Sequence, residues 1–342
     1  SLGYSPEDAA NYVVAACWEF IIPGCAFDVV NIGALSFPKV IDNVLHNSFS
    51  GCNDFDELMG KVRGEINAEC DSITSKIHDL WFVPSPFMSV MLDDIKYRNF
   101  GIHGTGIATA ADSLAAIRKY VYDDKSITPA ELIAAVDDNF EHTPELLHKL
   151  RYEAPKMGRD DDYVDSIATS LEDMFADSLA DRRNCEGGIF RAGTGSAMYY
   201  LWHAAEIGAS PDGRRRGEPF GTNFSPSLFA DIDGPVSVIK SFTKQHLGRV
   251  INGGPLTLEF HNSVFRGDDS LEKVAAIVKY FIDRGGHQLQ LNSVNLEVMK
   301  DAKLHPDKHR RLVVRIWGWS AYFVELDPEY QDHVIARQEY SI

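Results

Sequence analysis

The stretch RLVVRIWGWSAYFVELD, from Arg311 to Asp327, is the part of the chain from which the fold is best inferred. Branched and aromatic residues dominate it, which favours extended backbone over helix. Its glycine, Gly318, lies between Trp317 and Trp319. A glycine in such a run usually marks a bulge or a close backbone approach, and composition alone favours that role. The chemical alternative is a radical site, because an α-carbon without a Cβ lets a radical delocalise into both flanking amides.

A second candidate site lies in AACWEFIIPG, where Cys17 is followed two positions later by Glu19. Residues i and i+2 do not share a helix face, but in an extended segment they point to the same side. The break at Pro23 and Gly24 favours a loop here, so the thiol and the carboxylate can face one pocket. A buried, inert thiol is the commoner role for an isolated cysteine in an apolar run. The residues alone leave both roles open.

The glycine-containing segment resembles the C-terminal signature of the glycyl radical enzymes, the family that includes pyruvate formate-lyase. The segment HPDKHRRLVVRIWGWSAYFVELDPEYQDHVIARQEY has Arg315 and Gly318 at the family's spacing. Trp317 and Trp319 depart from the small residue and the tyrosine that are usual at those positions. YVVAACWEF resembles the family's cysteine loop, in which Cys-x-Glu marks the dehydratases, other eliminases and some decarboxylases.

Other segments resemble the same family in the same order along the chain. They are PSPFMSVMLDD, the glycine bend that leads into ADSLAAI, SPDGRRRGEPFG and DRGGHQLQLNSVN. The resemblance implies an α/β fold, namely the C-terminal half of a ten-stranded barrel with the cysteine loop and a terminal glycyl radical domain. We expect the partial barrel over residues 1–290 and the radical domain over 291–342. Only the later half of the family is resembled, so we expect either a fragment or a partner subunit that supplies the N-terminal half.

The resemblance also implies a mechanism and its residues. A radical-SAM activating enzyme would remove hydrogen from Gly318, the glycyl radical would take hydrogen from Cys17, and the thiyl radical would abstract hydrogen from a small-molecule substrate. Glu19 would act as general base. Cys17 is flanked by Ala16 and Trp18 rather than by a second cysteine, which favours elimination over acetyl transfer from pyruvate. Dehydration of a hydroxylated substrate is the preferred reaction, with decarboxylation as the alternative. No bound cofactor is expected, and we expect a homodimer.

Length, composition and charge limit the class of protein and its partners. The 342 residues, 44% hydrophobic and 24% charged, predict a soluble globular protein of one large or two ordinary domains. A net charge of −17 argues against nucleic acid or an anionic membrane as the main partner. The best candidate for a membrane span, Val13 to Val30, is interrupted by charges and a proline, and we see no signal peptide. Five cysteines without CxxC spacing favour a reducing cytoplasm.

Local signals predict several elements. Helix starts are expected at Ser5-Pro6, Asp54, Thr128-Pro129 and Thr143-Pro144, and longer helices over 110–122, 161–183 and 269–284. Alternating apolar residues predict a strand over 256–260, and HQLQLNSV predicts another. The order strand, helix, strand indicates parallel α/β structure.

Weaker candidates have plainer explanations. GIHGTGIAT lacks the spacing of a phosphate-binding loop. His305 and His309 have helical spacing, but a proline intervenes and no third zinc ligand is near. Arg214, Arg215 and Arg216 are best explained as a turn held by carboxylates. Asn31 occupies a position where some dehydratases of the family carry an aspartate.

Two further classes of function stay open at this stage. A radical-bearing repair subunit would need the glycine loop but would have no use for Cys17 and Glu19. A non-radical α/β binding module would leave the paired motifs unexplained.

Overall fold

A computed structural model describes residues 3–14, 17–78, 95–337 and 339–340 of the chain. Ala16, which precedes the candidate cysteine, and the segment PSPFMSVMLDD both lie outside the described residues. Within the described ranges, every helix is too short or too polar to traverse a lipid bilayer.

Ten strands are found in the described ranges, most of them short. They are β1 (Val13–Val14), β2 (Phe20–Ile21), β3 (Val29–Ser36), β4 (Phe100–Thr105), β5 (Phe190–Gly193), β6 (Leu256–His261), β7 (Leu289–Val294), β8 (Val313–Arg315), β9 (Ser320–Tyr322) and β10 (Glu339–Tyr340). Two parallel sheets, ordered β3–β4–β5 and β10–β6–β7, form the frame. Two antiparallel hairpins, β1–β2 and β8–β9, carry the candidate cysteine and glycine.

Helices fill the connections between the parallel strands. They are α1 (Pro6–Ala10), α2 (Phe37–Asn47), α3 (Phe55–Ser75), α4 (Ile107–Ile117), α5 (Pro129–Asp137), α6 (Pro144–His148), α7 (Asp162–Ala180), α8 (Tyr199–Glu206), α9 (Pro235–Thr243), α10 (Ser270–Asp283), α11 (Leu296–Leu304) and α12 (Pro328–Ala336). Helix α10 connects β6 to β7, which are parallel neighbours, so the predicted strand, helix, strand unit is confirmed.

The helix starts follow from local chemistry. The Asp54 side chain accepts from the Glu57 amide at the start of α3, and Thr128 and Glu131 form a reciprocal capping box at α5. The helix expected over 161–183 runs from Asp162 to Ala180. The helix expected over 110–122 begins earlier, at Ile107, and continues after Ile117 as a wider π-helical turn.

The described residues form two main apolar cores and a third, small cluster around α8, made of Tyr200, Ala204, Ile207 and Phe220. The larger one runs from the helices around the first sheet to the second sheet, where Leu256, Leu258 and Phe260 are buried as their alternation predicts. The smaller core surrounds the glycine hairpin and joins α11, β8 and α12. Its buried members are Met299, Ala302, Val314, Ile316, Phe323 and Val334. The glycine hairpin is therefore stabilised by an apolar cluster of its own.

Candidate active site

Cys17 and Glu19 lie in the connection between β1 and β2. The two strands pair Val13 with Ile21 and Val14 with Phe20 in an antiparallel hairpin. Cys17 is half-buried, whereas Glu19 is only 3% exposed. A buried carboxylate is costly unless it has a partner or a function, so its position near a thiol is informative.

The backbone of this turn is strained and is held by residues from the second sheet. Trp18 has φ of +66°, which is unusual for a bulky residue. Its carbonyl accepts a hydrogen bond of 2.6 Å from Nε2 of Gln288, whose Oε1 accepts from the amide of Gly254. A Cβ on the neighbouring Gly253 would lie 2.2 Å from the Trp18 carbonyl oxygen, so only glycine permits this approach. Gln288 lies at the start of the strand predicted from HQLQLNSV, but nothing in that segment indicates its contact with the cysteine hairpin.

The base of the cysteine hairpin is fixed by a buried arginine on β5. Arg191 donates to the carbonyl of Phe20 at 3.2 Å, to the hydroxyl of Tyr4 at 2.8 Å and to Oδ2 of Asp28 at 3.1 Å. Burial raises the pKa of Asp28, and the guanidinium opposes that rise. These contacts join the hairpin, the start of β3 and the first sheet.

Gly318 occupies the turn between β8 and β9. The strands pair Val313 with Tyr322 and Arg315 with Ser320, and the Ile316 amide donates to the Trp319 carbonyl at 3.0 Å. Gly318 is buried and has φ of +67°, a conformation that favours glycine. The apolar run is thus interrupted by a hairpin turn rather than by a bulge in one long strand.

A buried ion pair ties the glycine hairpin to the second sheet. Arg337 donates to the carbonyls of Arg315 and Ile316 at 2.9 and 2.6 Å, and to Oε1 of Glu259 on β6 at 3.0 Å. Both partners are almost completely buried, at 6% and 5% exposure. This pair was not among the residues predicted from the sequence. Glu259 is the one carboxylate in the mainly apolar strand β6, and this is the signal that could have identified it.

The cysteine and glycine loops approach each other across His103 on β4. This histidine is fully buried, and its Nε2 lies 3.7 Å from Oε1 of Glu19. On the other side, its ring meets the Trp317 indole edge to face, with centroids 6.2 Å apart. The Trp317 indole N–H donates to Oδ1 of Asn223. One buried histidine therefore contacts both the cysteine loop and the glycine loop.

The electrostatics of the site keep the thiol protonated. Burial and the nearby carboxylate of Glu19 raise the pKa of Cys17 to about 12, and the positive charge of Arg315 opposes them. Since Arg315 precedes Gly318 on β8, its effect on the thiol also reflects the closeness of the two loops. At neutral pH Cys17 therefore retains its S–H hydrogen, which is the atom that a hydrogen-transfer reaction needs.

The other candidate site residues predicted from the sequence have structural roles in this fold. GIHGTGIAT forms β4 and the start of α4 rather than a phosphate-binding loop. His305 and His309 both face Asp301 at the surface, and the described residues hold no group of three or more potential metal ligands. Arg214 is buried and donates to the backbone carbonyls of Glu218 and Gly208, so it holds its own turn.

Comparison with known families gives two matches. The chain matches the family described as pyruvate formate lyase-like over residues 1–202 and the family described as glycine radical over residues 220–324. It is 29% identical to the trans-4-hydroxy-L-proline dehydratase of Clostridioides difficile, over 98% of this chain and 46% of that protein. It is 34% identical to the isethionate sulfite-lyase of Oleidesulfovibrio alaskensis, over 99% of this chain and 45% of that protein.

Among solved structures, the chain is similar to the glycerol-bound, B12-independent glycerol dehydratase of Clostridium butyricum. The TM-score is 0.93 at 27% identity, and the match covers all of this chain and 47% of that one. The chain thus spans about half the length of the relatives that it matches. The predicted fold, half of a glycyl radical enzyme barrel, is confirmed by this likeness.

Proposed function

The chain belongs to the pyruvate formate lyase-like family of glycyl radical enzymes, and from this premise we propose that it carries the radical half of a lyase that dehydrates a small hydroxylated molecule. In this proposal Gly318 stores the radical, Cys17 abstracts hydrogen from the substrate, and Glu19 is the base. The observation that carries it is the buried carboxylate of Glu19 close to a protonated thiol.

Each residue has a defined task in the proposed reaction. Gly318, as a radical, takes the S–H hydrogen of Cys17, and the resulting sulfur radical takes a hydrogen from a substrate carbon that bears a hydroxyl. Loss of that hydrogen acidifies the hydroxyl, so the Glu19 carboxylate becomes a competent base. The adjacent C–O bond then breaks, and the departing group leaves as water with the proton. The product radical finally recovers hydrogen from Cys17.

The relatives support this class of substrate. Their names refer to hydroxyproline, glycerol and a sulfopropanediol, each of which carries a hydroxyl group, and the reactions named are dehydrations. The isethionate sulfite-lyases show that a related chain can expel a different group. Decarboxylation is the alternative for this chain. Acetyl transfer from pyruvate and a purely repairing role both leave the buried Glu19 without a task.

The partners are also part of the proposal. A radical-SAM activating enzyme would install the radical on Gly318, and the missing half of the barrel would come from further chain or from a separate subunit. Exposed apolar residues on the cysteine hairpin, Tyr12, Val13 and Val14, fit a surface that another segment covers. We propose a homodimer in the cytoplasm, and a radical domain over 291–342 that is supported by the small core around β8.

The test is a product assay on the activated complete assembly. Anaerobic protein is offered glycerol, 1,2-propanediol and trans-4-hydroxy-L-proline, and in parallel pyruvate with coenzyme A. We expect an aldehyde or another dehydrated product from at least one hydroxylated compound, and Glu19→Gln should keep the radical but lose elimination. Acetyl-coenzyme A formed at a comparable rate would refute the proposal.

A matched pair of cysteine variants assigns the hydrogen-transfer residue. Cys17→Ser should stop turnover because an O–H bond is too strong for the glycyl radical to break, while the radical signal of Gly318 persists. Cys185→Ser, which changes an exposed thiol, should keep full activity. Turnover by the Cys17→Ser protein would show that another group abstracts the substrate hydrogen.

A further inference from the structure

His103 is a buried polar side chain whose hydrogen-bonding capacity is unused. Its exposure is 0%, and neither Nδ1 nor Nε2 has a hydrogen-bond partner among the residues that the structure describes. Most buried polar groups in proteins are paired, because an unpaired one destabilises the folded state. A histidine retained at this cost, between the cysteine and glycine loops, requires an explanation beyond packing.

The ring is held in one place by its neighbours. A Cβ on Gly195 would lie 2.8 Å from Cε1 of His103, 2.9 Å from its Nδ1 and 3.0 Å from Cζ2 of Trp317. The backbone of Gly195 therefore closes the Nδ1 side of the imidazole, and Trp317 packs against the ring. The indole N–H of Trp317 is in turn fixed by Asn223, which also accepts from the Ser196 amide. The ring has little freedom to turn its nitrogens elsewhere.

The remaining nitrogen, Nε2, faces Glu19. The distance of 3.7 Å to Oε1 exceeds a hydrogen bond by roughly half an ångström. Such contacts in catalytic sites are often long without substrate and shorten when substrate binds.

We propose that His103 is the positioning residue for Glu19: its Nε2–H donates to Oε1, so that Oε2 is the oxygen that takes the substrate's hydroxyl proton. This rests on the function proposed above. One proton moves in the step: the hydroxyl O–H bond breaks, an O–H bond forms on Oε2, and the same proton then joins the departing hydroxide to give water. His103 keeps its own proton throughout and acts only through Glu19.

Two substitutions distinguish the contribution of the His103 hydrogen-bond donor from that of its ring packing. His103→Phe keeps an aromatic ring against Trp317 but has no donor, whereas His103→Gln keeps a donor but loses the ring. In the activated complete assembly, both should give the glycyl radical signal at the wild-type level. His103→Phe should lower kcat about 100-fold, as expected for a misplaced catalytic group, with KM little changed. His103→Gln should retain clearly more of kcat than His103→Phe.

Each other kinetic outcome overturns the proposal. Wild-type kcat in His103→Phe would show that the nitrogen is not needed. Equal losses in the two variants would show that ring packing, not donation, is what matters. Failure of His103→Phe to form the radical would place the role of His103 at the glycine loop instead of at Glu19.

A second readout does not depend on which reaction the enzyme performs. In the assembly labelled with ¹⁵N-histidine, the His103 signals are assigned by their loss in His103→Gln. Glu19→Gln should move the Nε2 signal and leave Nδ1 nearly unchanged, with or without substrate turnover. An unmoved Nε2 signal would overturn the pairing. If the wild-type protein formed no dehydrated product but the Nε2 signal still moved in Glu19→Gln, the proposed reaction would be wrong while the pairing of His103 with Glu19 would stand.

Discussion

The cysteine hairpin and the glycine hairpin are similar in size but are held in different ways. Strands β1 and β2 lie outside the apolar cores, and β1 is exposed. The hairpin is fixed by two long polar side chains from distant parts of the sequence: Gln288 bonds to its turn and Arg191 bonds to β2. The glycine hairpin instead packs in its own small core, and Arg337 clamps its backbone.

The difference indicates how each loop keeps its geometry. The cysteine hairpin depends on both parallel sheets, since its side-chain hydrogen bonds come from Arg191 on β5 and from Gln288, the residue just before β7. The glycine turn has a local apolar cluster and one ion pair to the frame. Perturbations of the frame should therefore affect the cysteine loop first, and loss of the ion pair should affect the glycine loop alone.

The largest effect is expected from Gly318→Ala. The variant should show no radical doublet by electron paramagnetic resonance and no cleavage at residue 318 in air, because alanine cannot occupy the buried turn as a planar, delocalised radical. The left-handed backbone costs roughly 1–2 kcal/mol for a residue with a Cβ, so the fold should survive. Gly285→Ala, at φ of +81° with open space around it, is the matched control and should keep the radical. A doublet in the Gly318→Ala protein would place the radical elsewhere.

Breaking the ion pair should loosen one hairpin only. Arg337→Met leaves Glu259 buried without its cation and should destabilise the glycine hairpin by about 3–5 kcal/mol. Hydrogen exchange should quicken over residues 312–324 and stay slow in the cysteine hairpin. The double variant with Glu259→Gln should recover part of the loss, because no unpaired charge is left. An equal increase of the hydrogen-exchange rate in both hairpins would contradict the view that the two hairpins are stabilised independently.

A smaller destabilisation, confined to the cysteine hairpin, is expected from a substitution at Gln288. Gln288→Met removes the donor to the Trp18 carbonyl and the acceptor for the Gly254 amide, at a cost of about 1–3 kcal/mol. Exchange should quicken in the cysteine hairpin and turnover should fall, while the glycyl radical still forms. Gln290→Met, two residues later on β7, is the control, since its amide donates to the neighbouring Asn292 rather than to the cysteine hairpin. The proposal for Gln288 fails if both variants behave alike.

The mildest test concerns the Cys17 thiol. Since its pKa is raised to about 12, alkylation by iodoacetamide should increase about tenfold per pH unit from pH 7 to 10 without a plateau, because the thiolate is the reactive form. Glu19→Gln removes a like charge, lowers the pKa of Cys17 and should speed alkylation several-fold at fixed pH. Mass spectrometry of the Cys17 peptide measures both rates. A plateau below pH 9 would show that the thiol is not shielded in this way.

Sequence reasoning succeeded where the signal is local. The capping residues of α3 and α5 bond to amides three positions away, so the start of each helix can be read from a few letters. The unit β6–α10–β7 follows from one alternating stretch, one amphipathic stretch and a second strand. The cysteine and glycine candidates came from residue types and from the family resemblance.

The contacts that arrange the site could not be read in this way. His103, Gln288 and Arg337 act on partners that are distant in sequence, and nothing in their own segments names those partners. GIHGTGIAT was compared with a phosphate loop because of its glycines. In the structure one of them, Gly104, allows close packing: a Cβ there would lie 2.5 Å from the Phe37 ring. Such a requirement is visible only when the neighbouring strands and helices are placed.

The pairing of β10 with β6 has a consequence for synthesis on the ribosome. Glu339 and Tyr340 pair with Glu259 and Phe260, and Arg337, just before them, holds the carbonyls of Arg315 and Ile316. The glycine turn therefore cannot form its hydrogen bonds to Arg337 while residues 337–340 are still inside the ribosomal exit tunnel. The frame around β3, β4 and β5 can form earlier during translation. The segment proposed to bear the radical thus reaches its native contacts later in synthesis than the first sheet does.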